Sequence, residues 1–199
     1  MKKNKKPKQT QAQTQTQLKP TAALNQPAPD FTGIDSNGIS HKLSGYKGKL
    51  VVLEWKNSDC PFVKKHYGAN NMQTLQKTYT DQGVIWLSII SSAPQKQGHV
   101  SGRESNDIVK AEQSAATAVI LDETGVIGRL YDAKTTPHMY IINKEGQLVY
   151  NGAIDSNSSA DPADIETATN YVATALTELL AGKTVSTQTT RAYGCSVKY

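Results

Sequence analysis

No stretch of this sequence approaches the roughly 18–20 consecutive apolar residues that a membrane-spanning helix requires. No integral membrane segment is therefore expected. The longest apolar runs, around Val84, Ala118 and Met139, are sized for buried strands. Cysteine is scarce: Cys60 and Cys195 are the two in the chain. That is too few for a disulfide framework, and neither has a neighbour at metal-ligand spacing, so no metal site is expected. Two lone thiols suit redox chemistry better than a structural role, with one structural disulfide as the alternative. A phosphate-cradling glycine loop is also missing, and no organic cofactor is called for.

Acidic residues are absent from residues 1–29, which hold six lysines, while the rest of the chain has sixteen basic and seventeen acidic side chains. The net charge of +5 therefore belongs to one end and marks no nucleic-acid-binding face. The basic start is followed by the polar run Gln9 to Gln17 where a secretory signal would be apolar. The compartment is left open between cytoplasmic and, if the start was trimmed, periplasmic. Residues 1–26, rich in Lys, Gln and Thr, are expected to be a disordered tail. Residues 27–182 are expected to form one domain, and residues 183–199 a C-terminal tail carrying Cys195.

Within the domain, strand and helix signals alternate. A turn at Asp35-Ser36-Asn37-Gly38 predicts a small hairpin. Residues 50–55 predict the first core strand, 61–80 a helix and 84–90 a second strand. A helix over 105–116, capped by Asn106 or Asp107, a strand over 118–121 and a short helix over 124–130 follow. A hairpin pairs 139–143 with 148–150, and a helix over 165–180 closes the domain. Parallel crossovers first and an antiparallel hairpin later predict a three-layer α/β sandwich with a mixed central sheet.

Cys60 falls between a strand and a helix, with Pro61 suited to the first helical position. Free N–H groups at a helix N-terminus favour a thiolate, as do nearby cations such as Lys64, Lys65 and His66. The polar neighbours Asn57, Ser58 and Asp59 argue against the alternative that Cys60 is a small buried hydrophobe. His66 reads as a partly exposed surface residue.

These segments carry a resemblance. Pro27-Ala28-Pro29-Asp30-Phe31, the strand ending in Leu53-Glu54-Trp55, and Cys60-Pro61-Phe62-Val63 resemble the thioredoxin-fold redoxins, as do Thr136-Pro137-His138 and the hairpin after them. More narrowly they are similar to the alkyl hydroperoxide reductase/thiol-specific antioxidant, peroxiredoxin-like group. The resemblance implies a thioredoxin-like fold, a cis proline at Pro137 facing Cys60, and a site lined by Asn57, Pro61, Lys64, Thr136, Pro137 and His138. It implies catalysis by Cys60, a hydroperoxide or protein disulfide as substrate and a thiol protein as reductant.

The sequence departs from the pattern in three places. Val63 stands where a dithiol site has its second cysteine. Leu53 and Asn57 stand where a peroxiredoxin has Pro and Thr/Ser, and Pro137 falls where its arginine would. Asn57, Lys64, Arg103, Arg129 or Arg191 would have to substitute. Cys195 is the candidate resolving thiol, since a sulfenic acid at Cys60 condenses with a second thiol. The dozen residues after Gly182 reach up to roughly 40 Å if extended, enough to meet Cys60 in the same chain or across a homodimer. The leading expectation is thus a peroxiredoxin-like oxidoreductase. Thiol–disulfide exchange is the second, and a non-catalytic binding domain, or metal delivery by Cys60 with His138, the third.

Overall fold

The computed structural model describes residues 21–199, so the tail expected over 1–20 lies outside the described residues. Residues 21–26 are not a tail. Asn25 N donates to Leu148 O at 2.7 Å, and Ala22 and Leu24 pack against the core. A hairpin of β1 (Thr32–Ile34) and β2 (Ser40–Lys42) follows.

The central sheet takes β3 (Val51–Trp55), β4 (Ile85–Ile90), β5 (Ala118–Leu121), β7 (His138–Ile142) and β8 (Leu148–Gly152) in the order β5-β4-β3-β7-β8. Strands β3, β4 and β5 run parallel, and β7 and β8 antiparallel to their neighbours. The mixed sheet expected from the element order is the one observed. Every residue of β3 and β4 is buried, as continuous apolar strands covered on both faces should be.

Strand alternation divides the core in two. Val52, Trp86, Met139 and Ile141 face α1 (Pro61–Gly68), α2 (Asn71–Thr80) and α5 (Tyr171–Leu180). Leu53, Trp55, Ile120, Tyr131 and Tyr140 fill the opposite side, under the N-terminal segment and α4 (Val126–Leu130). Each fully buried Val or Leu in these layers contributes about 1.5–3 kcal/mol relative to exposure.

Several boundaries differ from expectation, for local reasons. The helix expected over 61–80 is two helices, because Asn70 adopts φ 58° and turns the chain between them. Apolar spacing continues across the turn, which is why periodicity alone joins them. Helix α3 (Gly102–Glu112) starts before Ser105, under a reciprocal cap of Ser101 with Glu104 rather than Asn106 or Asp107. Helix α5 starts at Tyr171, where the Asn170 side chain accepts from Ala173 N. Ile165 and Ala168 precede it, Ile165 in a 3-10 turn.

The largest difference is at the C-terminus, where no element was expected. Cys195–Ser196 form β9, paired antiparallel with β6 (Thr135–Thr136) so that Cys195 stands opposite Thr136.

Candidate active site

Two chain segments meet over the N-terminus of α1. The first is the turn after β3. Asn57 Oδ1 accepts from Asp59 N at 2.9 Å, and Asn57 O accepts from Cys60 N at 3.0 Å. Cys60 therefore caps α1, with Pro61 at the first helical position. The second is the β6–β9 pair, which ends at the cis peptide Thr136-Pro137. Together they set the Cys60 and Cys195 sulfurs 2.8 Å apart, and the Cys60 sulfur 3.1 Å from Thr136 O. Both cysteines are free. An S–S bond of about 2.05 Å needs the sulfurs to close by less than 1 Å.

The two thiols differ in environment. Burial by itself raises the Cys60 pKa. The Cys195 S–H, the Thr136 hydroxyl and the backbone N–H groups of Cys195 and Val63 favour its thiolate, and the net direction is down. Thr136 Oγ1 is buried and makes no hydrogen bond; the direct contact of Thr136 with the Cys60 sulfur is through its backbone carbonyl. Cys195 moves the other way, pushed up to about 11 by burial and by its position beside the Cys60 sulfur. The two thiols are thus shifted apart, Cys60 downward and Cys195 upward, so Cys60 is the first of the pair to lose its proton.

The segment carrying Cys195 is tied down on both sides. Before the cysteine, the Tyr193 hydroxyl donates to Asp155 Oδ1 and lies 3.1 Å from His66 Nε2. After it, Val197 N donates to Lys134 O at 3.0 Å, and Ala93 N to Lys198 O at 2.8 Å. The Tyr199 hydroxyl donates to Ala133 O at 2.8 Å while its ring stacks under Arg129. Gly194 lies against Thr136: a Cβ there would meet Thr136 O at 2.0 Å, and its φ is +136°.

Below the Cys60 turn lies a buried polar hub. Glu54 accepts from the Tyr67 hydroxyl at 2.8 Å, Gln76 Nε2 at 3.1 Å, Trp86 Nε1 at 2.7 Å and Ser88 Oγ at 2.9 Å. It links β3, α1, α2 and β4, the elements that fix the turn. Lys56 lies 3.9 Å over the Tyr67 ring and pairs with Glu112.

The residues expected at the site are distributed as follows. Cys60, Cys195, Thr136, Pro137, Asn57 and Pro61 come together. Lys64 is exposed, and its backbone N–H donates to Cys60 O at 2.9 Å. His138 stands on the opposite face of the sheet, its ring 4.5 Å from that of Tyr140 and Nε2 2.8 Å from Asn151 Oδ1. Strand alternation puts it there, since its neighbour Met139 takes the face toward α1. His66 is fully buried, not a surface residue, and burial brings its pKa down to about 4. It therefore adds no positive charge near Cys60 at neutral pH. Lys65 is also buried, with Nζ 2.9 Å from Asn157 O and 3.8 Å from Asp155 Oδ2. The sequence reading missed Tyr193, Gly194, Tyr199 and Asp155. A glycine directly before the second cysteine was the one local signal available.

Residues 24–151 match the model of the AhpC/TSA family. The thiol-disulfide oxidoreductase ResA of Geobacillus kaustophilus is 26% identical over 131 residues, 65% of this chain and 69% of that one. A glutathione peroxidase of Lactococcus lactis is 26% identical over 128 residues, 64% of this chain and 76% of that one. Among solved structures, a hypothetical protein from Sinorhizobium meliloti superposes with a TM-score of 0.74 at 23% identity, covering 90% of this chain and 96% of that one. An uncharacterized conserved protein from G. kaustophilus gives 0.73 at 24% identity, covering 92% and 94%. These likenesses confirm the thioredoxin-like fold. The strap with Cys195 lies beyond the matched residues, but the match spans well over half the chain, and the protein belongs to the AhpC/TSA family of redoxins.

Proposed function

We propose that the protein is a thiol–disulfide oxidoreductase that alternates between a Cys60/Cys195 dithiol and a disulfide joining them. The observation that carries this reading is the 2.8 Å approach of the two sulfurs within one chain, with the Cys60 pKa shifted down and that of Cys195 shifted up. A dithiol in contact can pass two electrons to a substrate disulfide through a mixed disulfide, with no cofactor. The likeness to a ResA supports the same chemistry.

Hydroperoxide reduction is the second reading, favoured by the likeness to a glutathione peroxidase. The polar neighbours of Cys60 support it less well. Among the described residues, no arginine hydrogen-bonds to its sulfur, whose partners are Thr136 O and Cys195 Sγ. Arg129, for one, is taken up by Thr124 O and the Tyr199 ring.

The reduced protein is to be exposed in parallel to glutathione disulfide and to hydrogen peroxide, with intact mass and free thiols followed in the wild type, Cys60→Ser and Cys195→Ser. The exchange reading expects wild-type protein to lose two thiols to glutathione disulfide without lasting adducts, and neither variant to form an intramolecular disulfide, Cys60→Ser stopping at one glutathione. Peroxide is expected to oxidise it no faster than an unassisted thiolate. Rapid peroxide consumption would transfer the conclusion to the second reading.

A further inference from the structure

Exchange requires an external sulfur to meet one of the two thiols, and the structure treats them unequally. Cys60 is 0% exposed, enclosed by the start of α1, Thr136 and the Cys195 strand. A sulfur with no exposed surface offers no line along which a thiolate can attack. Cys195 is partly exposed and forms the cover.

The cover is not loose. Tyr193 on one side, Lys198 and Tyr199 on the other, and the β6–β9 pairing between them must all let go before Cys60 is uncovered. Beside the strand, a polar cavity of about 640 Å³ lined by Thr135, Asp155, Ser156, Thr190, Arg191 and Gly194 reaches the residue before Cys195.

We infer that Cys195 is the sulfur that exchanges with external thiols and disulfides, and that Cys60 reacts only within the chain, as leaving group and as intramolecular nucleophile. The inference rests on the dithiol reading above. In the reductive direction, an external thiolate attacks Cys195 of the Cys60–Cys195 disulfide. A new S–S bond joins the external sulfur to Cys195, the intramolecular bond breaks, and its electron pair stays on Cys60. A second external thiolate then attacks the external sulfur of the mixed disulfide. The external disulfide departs, and Cys195 takes a proton. Two external thiols are oxidised and the protein disulfide is reduced.

The opposite direction reverses these steps. Cys60 takes the Cys195 proton as Cys195 attacks the substrate disulfide, and the departing thiolate then leaves with that proton. The thiolate of Cys60 next closes on Cys195 and expels the remaining substrate thiolate. Cys60 is the better leaving group because its surroundings stabilise its anion, and exchange is faster with a lower-pKa leaving thiol.

The test uses the oxidised full-length chain and glutathione, whose carboxylates can meet Arg191. The reaction is stopped early by acid, which freezes exchange, and acid-stable peptide mapping locates the glutathione. The expected result is glutathione on Cys195 in about tenfold or greater excess over Cys60, as exposure and leaving-group strength both direct. Glutathione chiefly on Cys60, in a protein that formed the internal disulfide, would overturn this inference and leave the dithiol reading intact. Absence of any Cys60–Cys195 disulfide on oxidation would sink both.

Discussion

Gly194 is the position where the seating of Cys195 can be tested by a single atom. Gly194→Ala places a Cβ 2.0 Å from Thr136 O, 2.7 Å from Thr136 C and 3.3 Å from Pro137 N. All three contacts are backbone, so no side-chain rotation relieves them. Added to this is a φ of +136°, where a residue with a Cβ is strained by about 1–3 kcal/mol. Overpacking of a close contact costs another ~1–3 kcal/mol. Taking about 2 kcal/mol as the low end, the seated strap loses roughly 30-fold in population relative to an unseated one.

The disulfide needs the seated geometry and the dithiol does not, so the penalty falls on the oxidised form. For a two-electron couple in which 30 mV corresponds to about 1.4 kcal/mol, the reduction potential should become less negative by about 40 mV. Equilibration of wild-type and variant protein with glutathione buffers of graded ratio measures this directly. A thermal or urea transition checks that the domain remains folded. An unchanged glutathione equilibrium in a folded Gly194→Ala protein would show that the strap is not held by its contact with Thr136.

Removing the Cys195 thiol takes away the strongest group favouring the Cys60 thiolate, so Cys195→Ala, which leaves no donor there, should move the Cys60 pKa. The direction is upward, and thiolate ultraviolet absorbance against pH reads it; an unchanged or lower value would show that Cys195 does not act on Cys60. Glu54→Gln keeps the shape of the hub but removes the charge its four donors face; leaving buried donors mismatched should cost at least ~2 kcal/mol, seen as a lower urea midpoint. His66 and His138 are each held near a pKa of about 4 by burial, against 6.5 for the ordinary side chain. Between those values the unfolded chain binds more protons, so stability is full above pH 6.5 and falls as the pH drops toward 4. Urea unfolding at stepped pH should show that loss, and substituting either histidine with a neutral side chain should flatten it.

How far the sequence can be read depends on whether the signal is local. The runs around Val52, Trp86 and Met139 are buried because continuous apolar strands can be nothing else in a chain this polar. The step from strand to Cys60 to Pro61 to helix writes its own geometry, since an N-cap and a proline at the first helical position act on adjacent residues. The sequence by itself therefore determined the mixed sheet, the position of Cys60 at a helix start and the candidacy of Cys195.

What lay beyond it was decided by contacts between distant segments. Periodicity could not report the Asn70 turn, because a single left-handed residue leaves the apolar spacing intact. Nor could it tell that His66 is buried, since that depends on Tyr193, 127 residues later. Only tertiary packing decided that the C-terminal strap is a seated strand and that the sulfur whose pKa is shifted down is the enclosed one. The reason is the same in both cases. Burial and hydrogen bonding across the chain set which thiol gives up its proton more readily and which meets solvent, and neither quantity is a property of the residues next to a cysteine.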